Sequence, residues 1–237
     1  EGRTQMSYDG KPEPRWLCPS HPANQQLEID AMVEVARQYD VDGIHFDYIR
    51  YPGGQHCFCP GCRERFETVL GSKLAHWPAD TRDVPAVRQK WLDFRRSHIT
   101  HVVAAVHEAV RKQKPAVKIS AAVFRNWSTD RDGVGQDWKL WCERGYLDFV
   151  CPMDYTPSNI QFETMIGQQL EWAGRVPCYP GIGLSTWGGE LDIAKLIEQI
   201  KTTRRLRTGG FTVFNYGVAE ARQIVPLCGQ GITRANK

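Results

Sequence analysis

The chain has 237 residues, 41% of them hydrophobic and 24% charged, ordinary globular proportions that fit one domain or slightly more. Its net charge of +3 is too mild to argue for nucleic acid or an anionic membrane as partner. No apolar run approaches the roughly 20 residues that a bilayer span requires. The sequence opens Glu1-Gly2-Arg3 with no visible signal peptide, a start that fits processing or trimming and leaves export open. Aromatic residues make up 11%, including eight Trp and eight Tyr. Flat rings with polar edges suit a sugar-binding cleft, although barrel packing uses them as well.

In chain order, residues 1–22 are rich in Pro, Gly and charge and are expected to be a loop. Leu27, Ile29, Met32, Val33, Val35 and Ala36 recur at helical spacing and predict a helix over 24–39. Residues 43–49 form a short β-type run, stopped by Tyr51-Pro52-Gly53-Gly54. A Cys-rich insertion at 55–66 leads into one helix, and a second spans about 84–112 with Ile99, Val102, Val103, Val106 and Val110 inward. Strands are then predicted at 117–124, 148–153, 176–184 and 210–216, separated by helices at 136–144, 160–173 and 191–203. Nearly continuous apolar strands, each followed by a helix, indicate a parallel sheet buried on both faces.

This is an α/β pattern with five strands, and a closed (β/α)8 barrel needs three more. The expectation is a single barrel domain over 1–237 that covers roughly strands four to eight. A doubly wound open sheet is the structural rival. It calls for a glycine-rich phosphate loop opening a helix, and none is present.

In a parallel barrel the loops after the strands ring the functional mouth. Reading those ends gives Asp47, Tyr48 and Arg50, then Phe124 and Arg125, Asp154 and Tyr155, Gly183 to Trp187, and Asn215 and Tyr216. The segment YDVDGIHFDYIRYP (39–52), with RWLCPSHP (15–22), DFVCPMDYT (148–156) and GGFTVFNYG (209–217), resembles the glycoside-hydrolase-like family related to family 10. The resemblance runs over nearly the whole chain and implies a bacterial TIM-barrel protein, secreted or lipoprotein-anchored. One branch of that family trims peptide-free peptidoglycan strands. It also implies that 39–52 is the fourth barrel strand. The rhythm Asp42-Gly43-Ile44-His45-Phe46-Asp47 is similar to the strand that carries the nucleophile in the α-amylase family. A chitinase-type motif would put its terminal acid at Ile49, so that mechanism is disfavoured.

Most glycosidases flank the scissile bond with two carboxyl groups. Asp47 is the first candidate, set against a structural role in which it pairs with Arg50 or caps the next loop. Asp154 is the second, with Glu190 and Asp137 in reserve, although the family carries Asn where Asp154 falls. His45 shares a strand face with Asp47 and is either a ligand to it or to substrate, or a satisfied core histidine. Tyr48, Arg50, Arg125, Trp127, Tyr155, Trp187, Asn215 and Tyr216 are candidate sugar contacts. Asp42 is expected to be structural.

Cys57, Cys59 and Cys62 have C-x-C-x2-C spacing, which wraps a tetrahedral Zn²⁺ better than it forms a disulfide. A disulfide or free thiols remain the alternatives. The run also resembles the cysteine cluster of family 42 β-galactosidases, which implies a structural zinc. Cys18 is the preferred fourth ligand, with His56 and His21 in reserve, and no organic cofactor is expected. Cys142, Cys151 and Cys178 lie in helix or strand patterns as core thiols. The expected function is a glycoside hydrolase acting outside the cytoplasm on a polysaccharide, with bacterial cell-wall glycan in view. The alternative is a non-catalytic carbohydrate-binding barrel. A metal-dependent hydrolase would want several His at strand ends, where only His45 qualifies.

Overall fold

A computed structural model describes residues 2–184 and 192–233. The chain opens with an antiparallel pair, β1 (Thr4–Met6) and β2 (Pro12–Leu17), where a loop was expected. Pro12 and Pro14 hide this strand from a pattern reading, because proline is tolerated only where a ladder donor is not needed. Buried Gln5 ties the pair together by donating from Nε2 to the Leu17 carbonyl at 2.9 Å.

Helix α1 (Pro22–Gln38) begins at His21, whose Nδ1 accepts from the Ala23 N–H, and feeds β3 (Gly43–Phe46). The Cys-rich stretch leads into α2 (Pro60–Leu70), closed by Gly71 at φ +76°. A short α3 (Asp80–Asp83) precedes α4 (Pro85–Gln113). The five inward positions expected on α4 are all buried. Full burial of an aliphatic side chain contributes about 1.5–3 kcal/mol, so this stripe secures α4 to the sheet.

Next come β4 (Lys118–Val123), α5 (Trp127–Gly133), α6 (Trp138–Glu143), β5 (Phe149–Pro152) and α7 (Asn159–Ala173). They are followed by β6 (Gly181–Gly183), α8 (Ile193–Arg205), β7 (Thr212–Phe214), α9 (Val218–Gln223) and α10 (Val225–Gln230). Helix α5 lacks an apolar stripe and was not expected. It is started by Asn126, whose Oδ1 accepts from the Ser128 N–H. The strand expected over 176–184 shrinks to three residues because Pro177 and Pro180 interrupt it.

All five later strands run parallel. β3, β4 and β5 pair in that order, and β6 pairs with β7. Parallel bridges from Val150 to Cys178 and from Cys178 to Gly209 join the two groups into one arc. Ile119, Ala121 and Val123 of β4 are completely buried on the face turned to the helices, and Ser120 and Ala122 alternate onto the other. No described strand covers the outer edge of β3 or of β7.

Candidate functional site

Asp47 follows the last residue of β3. One face of that strand, Ile44 and Phe46, packs into the main core. Alternation therefore sends His45 and Asp47 to the opposite face. Two cavities meet there, of about 890 Å³ and about 500 Å³, sharing His45, Asp47, Tyr48 and Arg50. The larger runs along β2 and α1, and the smaller continues to Tyr155 and Phe214.

The chain turns sharply after Asp47. Its Oδ1 accepts from the Tyr48 N–H at 2.8 Å, Tyr48 adopts φ +54°, and the Arg50 N–H donates to the Tyr48 carbonyl at 2.7 Å. A left-handed tyrosine is uncommon and costs of order 1 kcal/mol. The turn brings the Arg50 guanidinium back over three rings, at 4.8 Å from Tyr48, 5.4 Å from Trp16 and 4.9 Å from Phe124. Each such contact contributes about 0.5–1 kcal/mol. Arg50 is thereby a fixed cation in an aromatic wall next to Asp47.

His45 Nδ1 lies 2.8 Å from Ser120 Oγ on the neighbouring strand. Burial lowers the His45 pKa, with the Asp47 charge opposing. A neutral imidazole here can present a donor or an acceptor to a hydroxyl. Tyr155 stacks on Phe214 with centroids 5.2 Å apart. Its phenol is pushed up to about 12, first by burial and then by the Asp47 charge, so it faces the cleft as a neutral hydroxyl. Asp47 is the one carboxylate among the described residues lining the smaller cavity, and Glu28 joins it in the larger.

Several expected residues stand elsewhere. Asp154 is 0% exposed and lines neither cavity. It lies just beyond β5, between Met153 and Tyr155, which line the smaller cavity, while its own side chain turns toward α7. There its Oδ1 accepts from Gln169 Nε2 at 2.6 Å while Oδ2 has no partner. Burial pushes its pKa up to about 8. Asp154 is thus buried and lines neither of the cavities that meet at Asp47. Trp127 starts α5, stacks near Trp172 and donates from Nε1 to Asp137 at 2.7 Å, so Trp127 and Asp137 brace one another away from the cavities. Arg125 offers its carbonyl to Gln169 and also lines neither cavity. Tyr216 is 80% exposed beyond β7, and Asn215 is exposed beside it. Trp187 and Glu190 lie outside the described residues.

The structure supplies residues that the strand ends did not point to. Trp16 comes from the unexpected hairpin, Phe214 from the last position of β7, and Ser120 from mid-strand β4. Alternation along β4 was the available signal for Ser120, and Trp16 stood only in the RWLCPSHP motif, with no periodicity to place it on a strand.

Cys18, which also lines the larger cavity, is buried together with Cys57, Cys59 and Cys62, their sulfurs within 4.8 Å of one another. His21 is occupied as the cap of α1, and His56 lies 3.6 Å from Glu13. Neither joins the cluster.

A parallel α/β arc with a polar and aromatic cleft at a strand's C-terminal end is the arrangement of (β/α)-barrel glycoside hydrolases. The solved glycoside hydrolase domain of PgaB (BpsB) from Bordetella bronchiseptica superimposes with a TM-score of 0.73 at 17% identity, over 90% of this chain and 65% of that one. A family model described as glycosyl hydrolase-like 10 matches residues 1–178. The chain belongs to that family. Among curated proteins it is 27% identical over 158 residues to the glycosyl hydrolase DigH of Escherichia coli K12, covering 60% of this chain and 32% of that protein. It is 25% identical over 209 residues to an S-layer-related protein of Niallia circulans, covering 72% of this chain and 13% of that protein. The chain therefore spans a third or less of the length of these relatives.

Proposed function

We propose that this chain carries the glycan-cleaving site of a glycoside hydrolase, with Asp47 as a carboxylate acting directly on the glycosidic bond. The observation behind this reading is Asp47 at the C-terminal end of β3, where two cavities meet between the Arg50 aromatic wall and the Tyr155–Phe214 pair. Rings of this kind cover the apolar faces of sugars, while His45, Tyr155 and Arg50 offer hydrogen bonds to hydroxyls. Hydrolysis breaks the anomeric carbon–oxygen bond, delivers a proton to the leaving oxygen and adds water at the anomeric carbon. That division of labour takes two carboxyl groups about 5–10 Å apart.

Asp154 carries no step in this reading, because it is buried against Gln169 and lines neither cavity. The arc reads as the fourth to eighth strands of a (β/α)8 barrel, supported by the uncovered edges of β3 and β7. The substrate class is a polysaccharide, with bacterial cell-wall glycan the first to test, which places the protein outside the cytoplasm. No helix among the described residues is long and apolar enough to cross a membrane.

A second reading, a carbohydrate-binding barrel without catalysis, is favoured by Asp47 being the one carboxylate among the described residues of the smaller cavity. Incubation of the full-length protein with peptide-free glycan strands decides between the two. The hydrolase reading expects new reducing ends that rise with time and enzyme. Saturable binding with no new reducing ends would favour the binding barrel.

A further inference from the structure

We propose that Cys18, Cys57, Cys59 and Cys62 bind one zinc ion in a closed tetrahedral site that rivets the β1–β2 hairpin to the loop before α2, and so holds Trp16 in the wall of the Asp47 cleft. A tetrahedron of thiolates about 2.3 Å from a zinc ion has sulfurs about 3.8 Å apart. Cys18 lies 3.4 Å from Cys62 and 3.7 Å from Cys59, and all four sulfurs fall within 4.8 Å of each other. These separations are well beyond the ~2.05 Å of a sulfur–sulfur bond. The four residues are 0–4% exposed, leaving no room for a water or substrate in the coordination sphere. A closed site of this kind is structural rather than catalytic.

The surroundings complete the chemistry. Four thiolates around Zn²⁺ carry a net charge of −2, which burial makes costly unless it is answered. Ser20 Oγ lies 3.3 Å from Cys18 Sγ and 3.1 Å from Cys62 Sγ. Arg65 donates from Nε to Ser20 Oγ at 3.1 Å and from Nη2 to Cys18 Sγ at 3.7 Å. Such outer partners orient the ligands and offset their charge. A second cation stands close by. Arg95 is 1% exposed and stacks on buried Tyr51 at 4.4 Å. It donates to the carbonyls of Gly53, Asp132 and Gly133 and, among the described residues, to no carboxylate. Cys62 and Cys57 lie within its electrostatic reach. A dianionic centre adds to the counter-charge that Asp132 already gives this buried arginine.

The consequence is mechanical. Cys18 immediately follows β2, two residues after Trp16, while Cys57 to Cys62 follow the turn that carries Asp47, Tyr48 and Arg50. Backbone bonds from Tyr8 to Gln55 and from Phe58 to Met6 align the two segments. Four metal–sulfur bonds would lock them, fixing the Trp16 ring 5.9 Å from Tyr48 and beneath Arg50.

The test uses the unaltered protein purified under reducing conditions. We expect one zinc per chain, released in step with four thiols by a mercurial reagent. Replacement by cobalt should give the intense visible spectrum of a tetrahedral tetrathiolate. Cys59→Ser should lose the zinc, whereas Cys228→Ser, at a cysteine outside the cluster, should keep it. Zinc removal should speed tryptic cleavage after Arg15 by about tenfold or more, because the hairpin then opens locally. Metal-free protein with freely alkylated thiols, a disulfide within the cluster, or iron in place of zinc would each overturn the assignment. Unchanged cleavage after Arg15 would overturn the riveting role. The cobalt spectrum needs no variant, so a misfolded Cys59→Ser does not blunt the test. None of these readouts involves sugar turnover, so the glycosidase reading stands or falls separately.

Discussion

Two aspartates, just beyond the ends of β3 and β5 on either side of β4, have opposite environments. Asp47 opens on solvent and cavity, with its carboxylate ordered by the Tyr48 N–H. Asp154 is sealed against α7 with one oxygen unpartnered, and burial lifts its pKa from the usual 3.8 to about 8. The folded protein therefore keeps a proton that the unfolded chain releases at lower pH. Stability attributable to this group is present below about pH 4 and falls as pH rises toward 8. Asp154→Asn mimics the protonated form and should flatten that slope. Melting temperatures at pH 5 and pH 8 should fall less for the variant than for the parent, and the variant should melt higher at pH 8. Parallel profiles would remove Asp154 from the pH dependence. The sequence pattern gives both acids the same strand-end position. It cannot show that one residue of offset turns Asp154 onto the helix side, since β5 ends at Pro152 and its register with β4 and Cys178 decides the face.

Among the elements, legibility followed apolar content. β3, β4 and β5 were readable because Ile44, Phe46, Ile119, Val123 and Val150 must be buried on a sheet face. α1, α4, α7 and α8 were readable from their stripes. The β1–β2 hairpin, α3 and α5 carry few apolar residues and are held by polar contacts that no periodicity announces. Asn24, for example, donates to the Arg3 and Cys18 carbonyls and accepts from Arg3 Nε. One of the three rings of the aromatic wall was thereby hidden, since Trp16 rides on that hairpin. The end of α2 offers a clean measurement of one local device. Gly71 sits at φ +76° with nothing within 4 Å of where a Cβ would stand. Its N–H donates to the Glu67 and Thr68 carbonyls. Gly71→Ala should cost about 1 kcal/mol of stability, purely as left-handed backbone strain. Denaturant unfolding checks this, and a cost well above 2 kcal/mol would mean that α2 and the cysteine loop shift with it.

Across the whole molecule, the parallel arc presents one face to its helices and the other to a cleft. The zinc rivet proposed for the four cysteines holds the hairpin lip to the loop that follows Asp47. Family membership and the PgaB glycoside hydrolase fold agree with the parallel arc, and the DigH relative extends well beyond the matched span. The central claim is chemical and rests on one carboxylate. Asp47→Asn keeps size and the hydrogen bond from the Tyr48 N–H while removing charge and basicity. The deciding measurement is the rate of reducing-end release from glycan strands by the full-length protein and by this variant, with melting temperature recorded alongside. The account predicts a rate lower by about 10²-fold or more at an unchanged melting temperature. Retained turnover would contradict it, and a depressed melting point beside that turnover would make Asp47 a structural residue.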